Sequence, residues 1–137
     1  MANHPGSERS GRRVGLEVGL ARVYGNPSFA DGVRVLVDRL WPRGVKREEA
    51  PWEHWLPEVA PSNDLRQWFA HDPAKFALFE KQYLTELAAP KGRAAVGRLS
   101  ALAGERPLLL LTATADPECS HAQVLRRLLL GEVAAPR

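Results

Sequence analysis

The sequence predicts a small single-domain α/β protein, in which a mixed or parallel sheet of about three or four strands packs with about four helices. Two apolar runs, at 33–41 and 107–116, have the composition of buried strands. Between them lie segments whose apolar residues recur at helical spacing. A helical crossover between two strands of one sheet places those strands parallel to each other, with a right-handed connection.

The strands are predicted from apolar runs bounded by turn-forming residues. A first strand is expected at 16–25, and the stretch NPSFADG separates it from the second at 33–41. The unbroken apolar run 35–37 indicates burial on both faces, which is typical of a parallel sheet. A short extended segment is expected around 52–56, because three prolines between 45 and 61 exclude a long helix.

The first two helices are predicted from their capping residues, and the last two from apolar residues at helical spacing. Ser62 is a favoured N-cap residue for a helix through 71, and Asp72 with Pro73 begins a second helix. The second helix carries one apolar stripe, formed by Phe76, Phe79, Tyr83, Leu84 and Leu87. Two further helices are expected at about 93–103 and from near Ser120 to just before Gly131.

Size and composition fit one globular domain, with 137 residues of which 45% are hydrophobic. We expect the domain at 16–131, a flexible basic tail at 1–15 and a flexible C-terminal end at 132–137. Most of the positive excess behind the pI of about 9.4 lies in that tail. A solvated terminus explains the tail, although weak, salt-sensitive attraction to phosphates is the alternative.

The sequence also predicts where the protein works. Cys119 is the single cysteine, so no disulfide can form within the chain, and a reducing compartment suits it. No apolar run approaches the ~20 residues of a membrane span, and the N-terminal stretch lacks the apolar core of a secretory signal. We therefore expect a cytoplasmic protein that does not enter membranes.

Several sharper motifs are not matched. The glycines form neither a dinucleotide-binding pattern nor a phosphate-binding P-loop. Cys119 and Arg126 are one residue too far apart for the thiol-phosphatase loop, and the histidines lack metal-ligand spacing. No metal is therefore expected, and the cofactor question stays open.

The candidate site lies where two predicted parallel strands end. Ligands of open α/β sheets bind beyond the carboxyl ends of the strands. The second strand ends in a charged and aromatic stretch, and polar residues and a helix start follow the last. These residues are Asp38, Arg39, Trp41 and Arg43 in the first group, and Thr112, Thr114, Asp116, Ser120 and His121 in the second. Arginine forks beside a helix N-terminus favour an anion such as phosphate or carboxylate.

Roles within this site follow from side-chain chemistry. Arg39 and Arg43 are expected to bind the anion, and Arg66 to lie at the rim. Ser62 or Ser120 would donate a hydrogen bond, while His121 or Asp38 would act as acid or base. Trp41 and His71 complete the candidates.

The same residues also have purely structural interpretations. Asp38 and Arg39 could form a buried ion pair that holds the strand end. Trp41 could pack in the core, and the four tryptophans between 41 and 68 could form one hydrophobic cluster instead of a base-stacking surface.

Several motifs together resemble a known family. RVYGNP, GVRVLVDRLWPRGVKREEA, APSNDLRQWFAHDP and SHAQVL are similar to the YeaO-like family (DUF488) of small bacterial proteins, from about residue 20 to 130. The resemblance implies a compact α/β domain and no established activity. It singles out Asp38, Arg39, Trp41, Pro42, Arg43, Gly44, Pro61, Ser62, Leu65, Arg66, His71, Asp72, Pro73 and His121.

Three positions depart from the pattern that the resemblance implies. The family often has tyrosine at the position of Thr112, lysine at that of Ala115 and asparagine at that of Ser120. The missing lysine removes one cation from the predicted pocket, which leaves open whether this chain keeps any activity that depends on that amine.

Three functions are consistent with these observations. The leading one is binding of an anionic small molecule at the strand ends, with enzymatic activity left open. The alternatives are nucleic-acid binding through the arginines and tryptophans, and a non-catalytic interaction or regulatory module. The substrate, the reaction and the oligomeric state do not follow from the sequence.

Overall fold

The computed structural model of the protein describes residues 16–24, 32–104 and 106–136, and the predicted tail at 1–15 lies outside these ranges. The described strands form one sheet: β1 Val18–Arg22, β2 Val33–Leu36, β3 His54–Trp55 and β4 Leu108–Thr112. Their order in the sheet is β1-β4-β2-β3, and every neighbouring pair is parallel. The predicted small α/β fold is confirmed, and the described sheet is wholly parallel.

Four α-helices lie in the described part of the chain: α1 Asn63–Phe69, α2 Phe76–Ala88, α3 Pro90–Ala103 and α4 His121–Leu129. Ser62 Oγ accepts a hydrogen bond from the Leu65 N–H, and Ser120 Oγ accepts one from the Ala122 N–H. The predicted Ser62 N-cap is therefore present, and Ser120 caps the helix that was predicted to begin near it. Asp72 caps a single 3-10 turn that precedes α2.

The predicted strands are longer than those in the structure. β2 ends at Leu36 and not at residue 41, because the chain leaves the ladder after the Val37 N–H donates to the Leu111 carbonyl. The following residue, Asp38, uses its carboxylate to accept a hydrogen bond from the Ala113 N–H. β1 and β4 are likewise shorter than the predicted 16–25 and 107–116.

Helix α3 begins at Pro90, three residues before the predicted start at about 93. Proline is favourable in the first turn of a helix, where its missing N–H is not needed.

The helices cover one face of the sheet. The larger core cluster joins Val35, Leu108 and Leu110 of the sheet to residues of all four helices, including Phe79 and Leu125. The smaller cluster, on the opposite face, contains no helical residue. It consists of Val23, Leu36, Trp52, Leu109 and Leu111, with Trp41 and Trp55 packed against it. The fold is therefore a helical layer on a parallel sheet whose other face is covered by the segment 41–55.

Three of the four tryptophans pack together. The Trp41 ring contacts those of Trp52 and Trp55 edge-on, with centroids 4.8 and 5.5 Å apart. Trp68 lies apart on α1, is 37% exposed and has the Lys75 ammonium over its ring. The hydrophobic-cluster interpretation therefore applies to three tryptophans and not to Trp68.

The end of the described chain also contacts the domain. Val133 packs against the larger core cluster, and Arg93 Nη2 donates to the Pro136 carbonyl. These contacts lie beyond the predicted domain boundary at 131. Within the described ranges, none of the helices has the length and apolar character needed to cross a membrane.

Candidate functional site

A cleft of about 410 Å³ lies at the carboxyl end of the sheet, and we call it the strand-end cleft. Residues that follow each of the four strands line it. They are Tyr24 after β1, Ala113 and Thr114 after β4, the segment 38–43 after β2, and Ala60 and Pro61 after β3. This is the place where parallel α/β sheets bind ligands, because the free ends of strands and helix N-termini meet there.

Of the residues named at the end of the last strand, Thr114 lines the strand-end cleft, whereas Thr112 and Asp116 are not among its lining. Eight of the nine residues predicted to bind the ligand or to act on it also line this cleft. They are Asp38, Arg39, Trp41, Arg43, Arg66, His71, Ser120 and His121. The ninth, Ser62, lines a neighbouring cavity of about 460 Å³ between the start of α1 and helices α2 and α3. There its hydroxyl donates to Glu86 Oε2 at 2.6 Å, and its N–H donates to Glu86 Oε1 at 2.9 Å. The Ser62 hydroxyl hydrogen is thus engaged by α2.

Arg39 is held by neutral groups. Its Nη2 donates to the carbonyls of Ala60 at 3.1 Å and Pro61 at 2.9 Å. Its Nε is buried and has no hydrogen-bond partner within the described ranges. The ion pair between Asp38 and Arg39 that the sequence allowed is not formed. Asp38 pairs with His121 instead. The guanidinium charge of Arg39 therefore has no carboxylate within 4 Å in the described structure.

Two further arginines border the cleft. Arg66 Nη2 lies 3.3 Å from Asn63 Oδ1, and the Arg43 side chain is exposed. Neither forms an ion pair with a described carboxylate. Asp38 is the single acidic residue among the described lining, so three guanidinium groups face one carboxylate.

Asp38 and His121 connect three elements. Asp38 Oδ2 accepts the Ala113 N–H at 2.8 Å, which joins the ends of β2 and β4. His121 Nε2 lies 3.1 Å from Asp38 Oδ1 and 3.1 Å from the Val37 carbonyl oxygen. Because both neighbours are acceptors, Nε2 must carry a hydrogen. That hydrogen points to Val37, since Oδ1 receives no aligned hydrogen bond, so the contact with Oδ1 is mainly electrostatic.

The environment of Asp38 lowers its pKa. Burial alone would raise the pKa, because it disfavours the charged form. The close His121 ring and its charge, the Ala113 N–H and the Thr112 hydroxyl together outweigh burial. Asp38 is therefore a carboxylate at neutral pH and cannot deliver a proton there.

The polar side chains at the start of α4, Ser120 and His121, already form part of the hydrogen bonds that they can make. Ser120 is 2% exposed, and its hydroxyl donates to the Pro117 carbonyl at 2.7 Å while accepting the Ala122 N–H. With the hydrogen of a neutral imidazole on Nε2, His121 keeps a lone pair on Nδ1. No hydrogen bond reaches Nδ1 from the described residues. That nitrogen is the atom of this group with unused basic capacity.

His71 reaches the cleft through strained backbone. Ala70 and His71 both have positive φ, 49° and 57°, at the end of α1. A left-handed conformation costs a non-glycine residue roughly 1–2 kcal/mol. Phe69, which stacks on Phe79 at 4.2 Å, anchors the chain just before this turn. The strained turn places His71 in the lining of the cleft.

The sequence did not point to Tyr24 as a site residue. Its hydroxyl donates to the Arg43 carbonyl at 3.0 Å, and the Arg22 guanidinium lies 5.2 Å from its ring centroid. Arg22 Nε in turn donates to the Thr114 carbonyl. The sequence did contain a signal for Tyr24, because the first apolar run, like the second, ends in an arginine and an aromatic residue. That signal could identify Tyr24 as a site residue only once β1 was known to run parallel to β4.

Metal-binding groups are not assembled in the described ranges, where no three His, Cys, Asp or Glu side chains are placed to hold an ion. Arg126, considered with Cys119 as a phosphatase motif, donates from Nε to the Val18 carbonyl at 2.7 Å. It therefore serves the packing of α4 on β1.

Comparison with known proteins gives one family. The family model described as "Inactive DUF488-N3 subclade" matches residues 17–137. The uncharacterized protein Rv3073c of Mycobacterium tuberculosis is 41% identical over 114 residues, which cover 83% of this chain and 94% of the relative. The uncharacterized protein YeaO of Escherichia coli is 38% identical over 110 residues, covering 80% and 94% of the two chains. No solved structure matches significantly.

Proposed function

Because this chain belongs to the family described as the inactive DUF488-N3 subclade, we propose that it binds a small anionic molecule in the strand-end cleft without transforming it. The anion carries a phosphate or carboxylate group. One observation carries the proposal: Arg39, Arg43 and Arg66 line the cleft, and none is paired with a described carboxylate.

Arg39 is the centre of this proposal. A partly buried charge is costly unless a partner compensates it, and its two carbonyl partners carry only partial charge. An oxyanion would supply the missing negative charge and accept hydrogen bonds from the planar guanidinium fork. The two carbonyls already hold the side chain in place, so less side-chain entropy is lost on binding.

Two polar groups of the cleft support binding of the ligand without a reaction. The Ser120 hydroxyl hydrogen is engaged by Pro117, and the lowered pKa of Asp38 keeps that carboxylate ionised. The description of the family as inactive agrees with this. The acid–base roles of Asp38 and His121 remain a prediction, and His121 Nδ1 is the atom that such a role would use.

The test is a thermal-shift and calorimetry panel of inorganic phosphate, organic phosphates and carboxylates. A ligand at one hundred times its dissociation constant stabilises the folded state by about 2.7 kcal/mol. We expect Arg43→Ala and Arg66→Ala to weaken this stabilisation, because each removes a cation from the lining of the cleft. Both side chains are exposed, so their loss should leave the fold intact. The matched control is Lys81→Ala, which removes one exposed charge on α2 outside the cleft.

Two outcomes would replace the proposal. Binding only to oligonucleotides, with affinity falling steeply as salt rises, would favour the nucleic-acid alternative. A panel without any stabilisation would favour a non-catalytic interaction module. The cytoplasmic location predicted from the sequence is part of the proposal.

A further inference from the structure

We infer that the anion bound in the strand-end cleft is carried on an apolar, ring-shaped body, so that the ligand class is an aryl or similar organic anion. This inference rests on the proposed function and names the kind of molecule that the site takes. It follows from the size of the cleft, from its exposed apolar residues and from the distance between Tyr24 and the pair of arginines at the start of α1.

The cleft is too large for an inorganic anion. Its volume of about 410 Å³ corresponds to more than a dozen water molecules at roughly 30 Å³ each. Residues following all four strands line it, and three spacings of about 4.8 Å make this row of strand ends about 14 Å long. Inorganic phosphate, with five heavy atoms, fills only a small part of that space.

The cleft also exposes apolar side chains that the core does not use. Four large hydrophobic residues are exposed in the described structure, and two of them, Leu40 at 67% and Tyr24 at 39%, line the cleft. Neither belongs to a core cluster. A single exposed leucine is ordinary, but exposed apolar residues gathered in one concavity mark a binding surface. Further apolar lining comes from Trp41, Pro42, Phe69 and Phe79.

Arg39 and Arg66 lie toward one end of the cleft, and Tyr24 lies toward the other, where its hydroxyl donates to the Arg43 carbonyl. Arg39 is bonded to Pro61, which directly precedes the N-cap of α1, and Arg66 lies one turn into that helix. Tyr24 follows β1 at the opposite edge of the sheet from β3. A ligand with its acidic group between Arg39 and Arg66 can therefore extend its body toward Leu40 and Tyr24.

Calorimetry with phenyl phosphate and inorganic phosphate tests the inference. We expect phenyl phosphate to bind at least about tenfold more tightly, because its ring buries apolar surface against the cleft. Leu40→Ala should weaken phenyl phosphate about threefold or more and leave inorganic phosphate unchanged. The matched control is Leu78→Ala on α2, which removes a leucine that is 48% exposed and outside the cleft. It should change neither affinity.

The outcomes separate the two proposals. Equal affinities for the two phosphates, or an unchanged phenyl phosphate affinity in Leu40→Ala, would overturn the apolar-body inference and leave anion binding in place. Binding of neither compound, together with no stabilisation by the carboxylates of the panel, would overturn anion binding itself, and the inference with it. Leu40 is largely exposed, so an unchanged unfolding temperature should confirm that its variant is folded.

Discussion

Replacing Asp38 by asparagine removes the charge that joins β2, β4 and α4 while keeping the shape of the side chain. The asparagine oxygen can still accept the hydrogen bond from the Ala113 N–H, whose nitrogen lies 2.8 Å from Asp38 Oδ2 in the wild-type protein. Its NH₂ group then takes the place of Oδ1, 3.1 Å from His121 Nε2. Two donors would face each other in a site where both side chains are at most 15% exposed.

The expected cost has two parts. A hydrogen bond to a charged group contributes about 1.5–3 kcal/mol and a neutral one about 0.5–1.5 kcal/mol, so the weaker bond to Ala113 costs about 1 kcal/mol. Loss of the attraction to His121, together with the opposed donors, costs a further ~1–2 kcal/mol, which is below the roughly 3–5 kcal/mol for one partner of a fully buried pair because both side chains are partly exposed. We therefore expect Asp38→Asn to lower the free energy of unfolding by about 2–3 kcal/mol.

Urea unfolding followed by circular dichroism measures this loss. The midpoint should fall while the slope m stays unchanged, since the surface exposed on unfolding is the same. Asp38→Asn, His121→Ala and the double variant form a cycle that isolates the contact between the two side chains. We expect a coupling energy of about 1–2 kcal/mol, within the range for residues in direct contact.

Two results would refute this reasoning. One is an Asp38→Asn protein within about 0.5 kcal/mol of the wild type, as is usual for surface substitutions without structural partners. The other is a cycle in which the two single variants add within about 0.5 kcal/mol. Either result would mean that the Asp38 carboxylate does not brace the strand ends, and its predicted acid–base role would gain weight.

The remaining predictions concern pH and backbone geometry. The pKa of Asp38 in the folded protein lies below its ordinary value of 3.8, so its stabilising contribution is complete above that pH and is lost as the pH falls through the folded-state pKa. Urea midpoints of wild type and Asp38→Asn should therefore converge on acidification below about pH 4, and midpoints that stay apart would contradict the assignment. Gly92→Ala should destabilise strongly, because its Cβ would lie 2.5 Å from the Glu86 carbonyl oxygen, whereas Gly97→Ala on the same helix meets nothing within 4 Å and should stabilise by about 0.5–1 kcal/mol. Thermal unfolding of both variants checks the pair, and equal shifts would refute the contact. Ala70→Gly should raise the unfolding temperature by relieving its φ of 49°, with a gain of up to about 1 kcal/mol, and a lower temperature would show that the turn is not strained.

Local signals predicted the elements well and their lengths less well. Ser62 and Ser120 marked the helix starts because a serine N-cap acts through its own side chain on N–H groups two or three residues away. The ends of the strands were overestimated because a strand continues only as long as its neighbour does. β2 stops where Asp38 turns toward Ala113, which is 75 residues away.

The sequence by itself determined the order of the elements, their parallel crossover and the position of the charged stretch 38–43 at a strand end. These features depend on residue spacing and on caps, which act over a few residues. Only the tertiary structure decided that β4 lies between β1 and β2, which brings Tyr24 into the cleft. It likewise decided that Asp38 pairs with His121 and leaves its neighbour Arg39 without a described carboxylate. Strand order and such pairings depend on contacts between distant parts of the chain, and a hydrophobic pattern that shows a strand to be buried does not say which strand lies beside it.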